Sequence, residues 1–146
     1  MIPEFQPDGN LPPGIHWATW NEFILAFGTT PWRRRLLAGL YAGLSLLKSA
    51  GCRTAYIDGS FVTSKADPGD YDACWETAGV TGALLDPVLL IFDQGRALQK
   101  AKFLGEFFPA SSMANPAGDI FLDFFQVDKH SGAPKGIVAI DVGGIL

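Results

Sequence analysis

The clearest periodic pattern in the chain lies between residues 30 and 51. Leucines recur there at the three- and four-residue spacing of one helix face: Leu36, Leu37, Leu40, Leu44 and Leu47. Thr30 is a favourable N-cap, Pro31 suits the first helical position because its missing N–H is not needed there, and Gly51 is a stop signal. The pattern therefore predicts a long amphipathic helix after Thr30.

A shorter helix is predicted just before the long one. Thr19 and Glu22 have the spacing of a capping box, in which each side chain accepts a hydrogen bond from the backbone of the other residue. An apolar stretch follows as far as Phe27, and Gly28 is a second stop signal. We expect a helix from about residue 20 to Phe27.

The beginning of the chain is expected to lack regular structure. Residues 1–15 are rich in Pro and Gly, which favour irregular backbone. A chain of 146 residues has the usual length of one domain with one hydrophobic core. We therefore expect an extended N-terminal arm over residues 1–18 and a single domain over residues 19–146.

The rest of the chain alternates between β-prone and helical patterns. Four runs are β-prone: residues 54–57, 70–75, 120–127 and 137–142. A helix is expected over residues 96–104, and residues 84–92 fit a helix beginning at Asp86 or a strand. The fold class is therefore predicted as α/β (α+β): a small mixed sheet with helices packed against it, two helices preceding the first strand.

Two aspartates in the second β-prone run are the first candidates for chemistry. Because side chains alternate across a strand, Asp70 and Asp72 are expected on one face, with Tyr71, Ala73 and Trp75 on the apolar face. Two carboxylates so close together repel each other unless a cation lies between them. Oxygen ligands of this kind suit Mg²⁺ or Mn²⁺, which also take phosphate oxygens.

A glycine and a serine lie at the end of the preceding strand. Gly59 permits close approach of the backbone to a ligand, and exposed N–H groups with the Ser60 hydroxyl can hold phosphate oxygens. This pair and the two aspartates complement each other, since Gly59 and Ser60 would hold phosphates and the aspartates would hold the metal that neutralises them.

This part of the chain resembles the DNA polymerase β-like nucleotidyltransferase superfamily. The shared pattern is a helix, a strand ending in Gly-Ser, a loop of about ten residues and then Asp-x-Asp on a strand. The small stand-alone minimal nucleotidyltransferases are the most similar members. The resemblance covers roughly residues 31–75. It implies a nucleotidyltransferase-like fold and Mg²⁺- or Mn²⁺-dependent transfer of a nucleoside monophosphate from an NTP to a hydroxyl group, with release of pyrophosphate.

The resemblance also implies a third carboxylate on a later strand. Asp123 fits best, because it is an acid within an otherwise apolar β-prone run, and Asp141 is the competitor. Asp70, Asp72 and Asp123 are thus the expected catalytic and metal-binding residues. Gly59, Ser60 and Lys65 are the expected phosphate contacts, with Lys65 in the loop between the two halves of the motif.

Composition restricts the possible partners and location. The net charge of −4 argues against an extended nucleic-acid surface, and no apolar run approaches the roughly 20 residues of a membrane span. Met1 to Asn10 lack the basic and apolar parts of a secretion signal. Cys52 and Cys74 have no metal-site spacing and are expected to be reduced. These features favour a cytoplasmic protein.

The resemblance implies an acceptor that is a protein, a tRNA or a small molecule, and it leaves the choice among these and among the NTPs open. At 146 residues the chain leaves little room for an additional helical domain that recognises an acceptor, so a homodimer or a helical partner protein is expected. The alternative function is a non-catalytic or degenerate nucleotidyltransferase-fold binding module, such as one component of a toxin–antitoxin pair.

Overall fold

A mixed five-stranded sheet, in the order β1-β5-β2-β3-β4, forms the centre of the protein in a computed structural model that describes residues 2–145. The strands are β1 (Gly14–Ala18), β2 (Thr54–Asp58), β3 (Asp72–Trp75), β4 (Glu106–Pro109) and β5 (Gly136–Asp141). The outer pairs, β1 with β5 and β3 with β4, are parallel, whereas β2 is antiparallel to both of its neighbours.

Within residues 2–145, four helices accompany the sheet, and the predicted mixed α+β class is confirmed. They are α1 (Trp20–Phe27), α2 (Pro31–Ser49), α3 (Asp93–Phe103) and α4 (Phe121–Phe124). No helix within residues 2–145 is long and apolar enough to cross a membrane.

Local sequence signals account for the first two helices, whose predicted bounds are confirmed. At the start of α1, the Glu22 N–H donates to the Thr19 hydroxyl at 3.1 Å, and the Thr19 N–H donates to the Glu22 carboxylate at 2.9 Å. The Thr30 hydroxyl caps α2 in the same way by accepting from the Arg33 N–H at 3.1 Å. All five leucines of the predicted stripe on α2 are buried.

A strand within the predicted arm is the first departure from the sequence analysis. Residues 14–18 form β1, which pairs with β5 so that Ile15 lies opposite Ile137 and Trp17 opposite Ala139. The two helices therefore follow the first strand instead of preceding it. The partner strand lies more than a hundred residues downstream, so no local pattern marks this pairing.

The prediction of a strand over residues 120–127 is wrong. The first part of this run forms the short helix α4. Phe121, Leu122 and Phe125 have helical spacing, and all three pack on one side of the sheet. The aromatic content of the run suggested a strand, but the same residues also cover a sheet face as one helical turn. Residues 84–92 form neither predicted element, since Leu84 ends one 3₁₀ turn (Gly82–Leu84) and Pro87–Leu90 form another.

Hydrophobic side chains cover both faces of the sheet. The larger cluster contains the leucine stripe of α2, and the smaller one contains Tyr56, Cys74 and Phe108. Glycines let α2 approach closely, since a Cβ atom at Gly39 would lie 1.9 Å from the Phe103 carbonyl oxygen. This packing fixes α2 against the end of α3 and thereby against the strand that follows it.

Candidate functional site

Acidic residues from three neighbouring strands meet at one end of the sheet. Asp58 ends β2, Asp72 begins β3 and Glu106 begins β4. The strand registers place Asp58 opposite Asp72, and Asp72 opposite Glu106. All three line a cavity of about 580 Å³, together with Asp70. The four carboxylates therefore share one end of the sheet and one cavity.

The predicted alternation around Asp72 is confirmed. Asp70 and Asp72 both line the cavity, while Tyr71 and Ala73 are buried in the larger hydrophobic cluster. The Tyr71 hydroxyl donates to the Phe103 carbonyl oxygen at 2.8 Å, which satisfies its polar group within the core. This anchor fixes the backbone between the two aspartates.

Gly59 directly follows β2, which confirms that the strand ends before the Gly-Ser pair, and it lines the cavity. Its φ of 87° and ψ of −173° belong to a region that is essentially restricted to glycine. A Cβ atom here would lie 3.1 Å from a carboxylate oxygen of Asp72 and 3.2 Å from the Asp72 backbone nitrogen. Gly59 and Ser60 both line the cavity. The glycine thus allows the turn and the Asp72 carboxylate to lie side by side.

Burial and mutual repulsion disfavour the ionised forms of these acids. Burial, followed by the charges of Asp70, Asp58 and Glu106, raises the pKa of Asp72 to about 7. Burial and the charge of Glu106 also raise the pKa of Asp70. For Asp58, burial raises the pKa although the nearby Lys135 opposes it. Protons or cations are therefore held favourably at this end of the sheet.

Basic side chains neutralise part of this acidic group. Lys135 forms an ion pair with Asp58 at 3.0 Å. Glu106 is paired with Arg96 at 2.6 Å and with Lys100 at 3.3 Å. Lys129 also lines the cavity. None of these residues is among the predicted site residues, although Lys100 and Lys135 are lysines that could have approached the site, because their placement depends on the order and register of strands, which no local motif encodes.

Lys65, the predicted phosphate-binding lysine, lies elsewhere. It is exposed and lines a second cavity of about 260 Å³ instead of the one that contains the aspartates. Its backbone carbonyl accepts a hydrogen bond from the Arg33 guanidinium. The loop between Ser60 and Asp70 thus carries Lys65 away from the two aspartates.

The side chain of Arg33 stabilises the loop between Ser60 and Asp70. Its side chain is buried and donates to the carbonyl oxygens of Phe61 at 2.7 Å, Thr63 at 3.0 Å and Phe27 at 3.3 Å, as well as to that of Lys65. A charged group is stable inside a protein only when its donors are satisfied in this way. Arg33 therefore links α2 to the backbone that follows the Gly59 turn.

Neither predicted candidate for the third carboxylate joins the two aspartates. Asp123 lies exposed on α4 and is absent from the residues that line the cavity. Asp141 pairs with Thr54 at the start of β2, whereas Asp58 ends that strand. At about 3.3 Å per residue, this places Asp141 roughly 13 Å along the sheet from the acidic end. The acid that the next strand brings opposite Asp72 is Glu106.

The described residues include no ready-made metal centre. Within residues 2–145, no three Asp, Glu, His or Cys side chains are arranged to hold a metal ion. The donor set still fits a hard cation, because Asp70 and Asp72 present carboxylate oxygens in a polar cavity and repel each other there. Glu106 is engaged by its two basic partners.

Four phenylalanines line the same cavity and form what we call the aromatic wall: Phe108 on β4, with Phe121, Phe124 and Phe125. The rings of Phe108 and Phe121 are stacked, with centroids 4.1 Å apart and planes inclined by 11°. The cavity therefore combines a charged end with an apolar side.

The chain matches a model of a known protein family. A family model described as a family of unknown function, DUF6932, matches residues 3–141. No curated protein and no solved structure matches the chain.

Proposed function

The chain belongs to the DUF6932 family, whose function is unknown, and from the chemistry of its site we propose that it is a metal-dependent nucleotidyltransferase. In this reaction a nucleoside monophosphate passes from an NTP to a hydroxyl group of an acceptor. The observation that carries the proposal is the meeting of the Gly59 turn with the Asp70 and Asp72 carboxylates in one cavity. That arrangement joins a phosphate-binding backbone to a cation-binding pair.

Asp70 and Asp72 are the residues that would hold Mg²⁺ or Mn²⁺. When bound, the metal supplies charge neutralisation and orientation of the triphosphate. Their mutual repulsion and their shared position on the cavity wall support this role. The Gly59 and Ser60 backbone and the Ser60 hydroxyl would contact phosphate oxygens, and the neighbouring Lys129 and Lys135 replace Lys65 as candidate phosphate partners.

Glu106 is our assignment for the third carboxylate. It lies opposite Asp72 on the adjacent parallel strand and is buried at the cavity. In the proposed reaction the acceptor oxygen attacks the α-phosphorus and the bond to the β-phosphate breaks, so pyrophosphate leaves. The acceptor's proton passes to the Glu106 carboxylate after its ion pairs with Arg96 and Lys100 open.

A second candidate function is nucleotide binding without turnover. It is favoured by the same two ion pairs, because Arg96 and Lys100 occupy the carboxylate that the reaction requires. Such a protein would act as a binding module with a partner chain, as in one half of a toxin–antitoxin pair. The two candidates differ in whether pyrophosphate is released.

A thermal-shift titration with each of the four NTPs tests the proposed site. In the presence of Mg²⁺ or Mn²⁺, a nucleotide at 100 times its Kd adds about 2.7 kcal/mol to the free energy of unfolding, so the melting temperature rises. We expect the rise to disappear with EDTA and in Asp70→Asn. Absence of a metal-dependent shift with every nucleotide would rule out this site.

Two further substitutions separate the candidates for the third carboxylate. We expect Glu106→Gln to abolish pyrophosphate release while metal-dependent nucleotide binding persists. Asp123→Asn, a matched loss of one carboxylate on exposed α4, should leave both unchanged. If Asp123→Asn abolishes pyrophosphate release and Glu106→Gln does not, the role of third carboxylate returns to Asp123. If the unmodified protein binds nucleotide without releasing pyrophosphate, the result supports the binding-module candidate.

A further inference from the structure

The aromatic wall and the charged end of the cavity share one space, and β4 contributes to both, through Phe108 and Glu106. Phe108 comes from β4, and Phe121 and Phe124 come from α4, which the sequence analysis had expected to be a strand. The volume of about 580 Å³ is within the usual range for a small-molecule site. A ligand that fills it would need a charged part and an apolar part.

Phe124 differs from the other members of the wall. Phe108 and Phe125 belong to the smaller hydrophobic cluster and Phe121 packs against it, whereas Phe124 is part of neither cluster that the structure describes within residues 2–145. Phe124 is half-buried, and it meets Phe125 in an edge contact, with centroids 6.3 Å apart and planes at 60°. Its ring is thus presented at the cavity without a role in the core.

An aromatic ring left partly in water gains free energy when another apolar surface covers it. Planar rings do this best, because they stack on the face of an aromatic side chain. Stacking of this kind accepts any nucleobase, since every base has an aromatic face. The wall therefore matches a planar ring attached to a charged group.

We propose that the aromatic wall, with Phe124 as its exposed ring, binds the base of the nucleotide whose phosphates lie at the acidic end. This inference rests on the proposed function and names the part of the site that recognises the substrate's base. It assigns Phe124 a binding role that no motif in the sequence suggested. It also predicts that binding depends on the presence of a base more than on its identity.

Calorimetric titration with two probes tests this assignment. ATP and inorganic tripolyphosphate carry similar phosphate chains, but only ATP has a base. With Mg²⁺ present, we expect ATP to bind roughly 10-fold more tightly than tripolyphosphate, in line with the usual contribution of one stacked base. Phe124→Ala should remove most of that difference and leave tripolyphosphate affinity unchanged, whereas Phe124→Trp should preserve it.

Phe5→Ala is the matched control. Phe5 is a partly exposed phenylalanine that lines the second cavity, away from the aspartates. Its replacement should not alter affinity for either probe. Because Phe124 is outside both hydrophobic clusters, Phe124→Ala is expected to remain folded, which its circular dichroism spectrum and melting curve would verify.

The outcomes separate this inference from the proposed function. If tripolyphosphate binds but ATP gains nothing, or if Phe124→Ala leaves ATP affinity intact, the base does not lie on the wall. A wall that instead receives an aromatic ring of the acceptor would give that same result. If neither probe binds, the proposed function itself is overturned together with this inference.

Discussion

Asp72 lies in an unfavourable electrostatic position at the cavity. Its carboxylate is surrounded by the charges of Asp70, Asp58 and Glu106, and these with burial raise its pKa to about 7. Gly59 makes this position possible, since any Cβ atom there would press against Asp72. A side chain that lowers the free energy of unfolding and is nevertheless held in place is typical of a functional site, where stability is reduced in favour of binding.

The pH dependence of stability should reveal this position. The pKa of Asp72 is about 7 in the folded protein and about 3.9 in the unfolded chain, so the folded protein binds the extra proton between these values. The contribution of protonated Asp72 to stability is complete below about pH 4 and is lost as pH rises towards 7. In Asp72→Asn this loss cannot occur. We expect the variant to gain stability over the original chain by up to about 1.4 kcal/mol per pH unit across this window.

Urea unfolding in EDTA at intervals from pH 4 to pH 8 measures this difference. EDTA keeps metal from masking the repulsion among the carboxylates. Asp123→Asn, which removes one carboxylate from exposed α4, is the matched control. A difference between Asp72→Asn and the original chain that does not change with pH would show that Asp72 is ionised normally in the folded protein.

At the scale of elements, helix α2 positions the turn that follows β2. Its buried Arg33 donates to carbonyl oxygens in the segment after Gly59 and to Phe27 at the end of α1. The guanidinium also lies 5.0 Å from the centroid of the Phe61 ring. Helix α2 thus packs its leucines into the core and, through Arg33, fixes the segment that follows the Gly59 turn.

Replacing Arg33 tests this control. Arg33→Met removes the donor of two buried and two partly buried carbonyl groups, and Arg33→Lys keeps the charge but lacks the fork of five N–H donors. We expect each variant to lose about 3 kcal/mol of unfolding free energy and to be cleaved faster by protease between residues 63 and 69. Urea unfolding and limited proteolysis measure the two effects.

Arg35→Ala is the matched control, since Arg35 is an exposed arginine of the same helical turn. It should change stability by less than about 0.5 kcal/mol. Equal stability of Arg33→Met and the original chain would show that water replaces the guanidinium without loss.

The elements differ in how well the sequence predicted them, for a physical reason. α1 and α2 have caps and an apolar stripe within their own residues, so local patterns suffice. The Gly59 turn and the Asp70–Asp72 pair were predicted for the same reason, as contiguous residues around two adjacent strands. Glu106 was missed because its approach to Asp72 depends on the parallel pairing of β3 with β4, which only the complete sheet determines.

At the scale of the whole molecule, the first strand of the chain pairs with the last one at one edge of the sheet. β1 lies on the outer side of β5, so that the chain's first strand covers its last. Leu11, just before β1, has no exposed surface, and its carbonyl oxygen accepts a hydrogen bond from the Gly136 N–H at 3.1 Å. The segment that the sequence analysis treated as an arm therefore contributes both to the core and to the sheet.

Deleting residues 1–18 tests whether the fold depends on the pairing of β1 with β5 and on the burial of Leu11. Without β1, strand β5 becomes an edge with unpaired backbone groups, and the space filled by Leu11 opens. We expect the shortened chain to lose cooperative thermal unfolding and to self-associate, as seen by circular dichroism and size-exclusion chromatography. Leu11→Ala should lose about 2–5 kcal/mol by the cavity it leaves, whereas Leu25→Ala, at a side chain 82% exposed, should have little effect. A shortened chain that melts at the original temperature would show instead that residues 19–146 fold by themselves, as an independent domain with a dispensable arm.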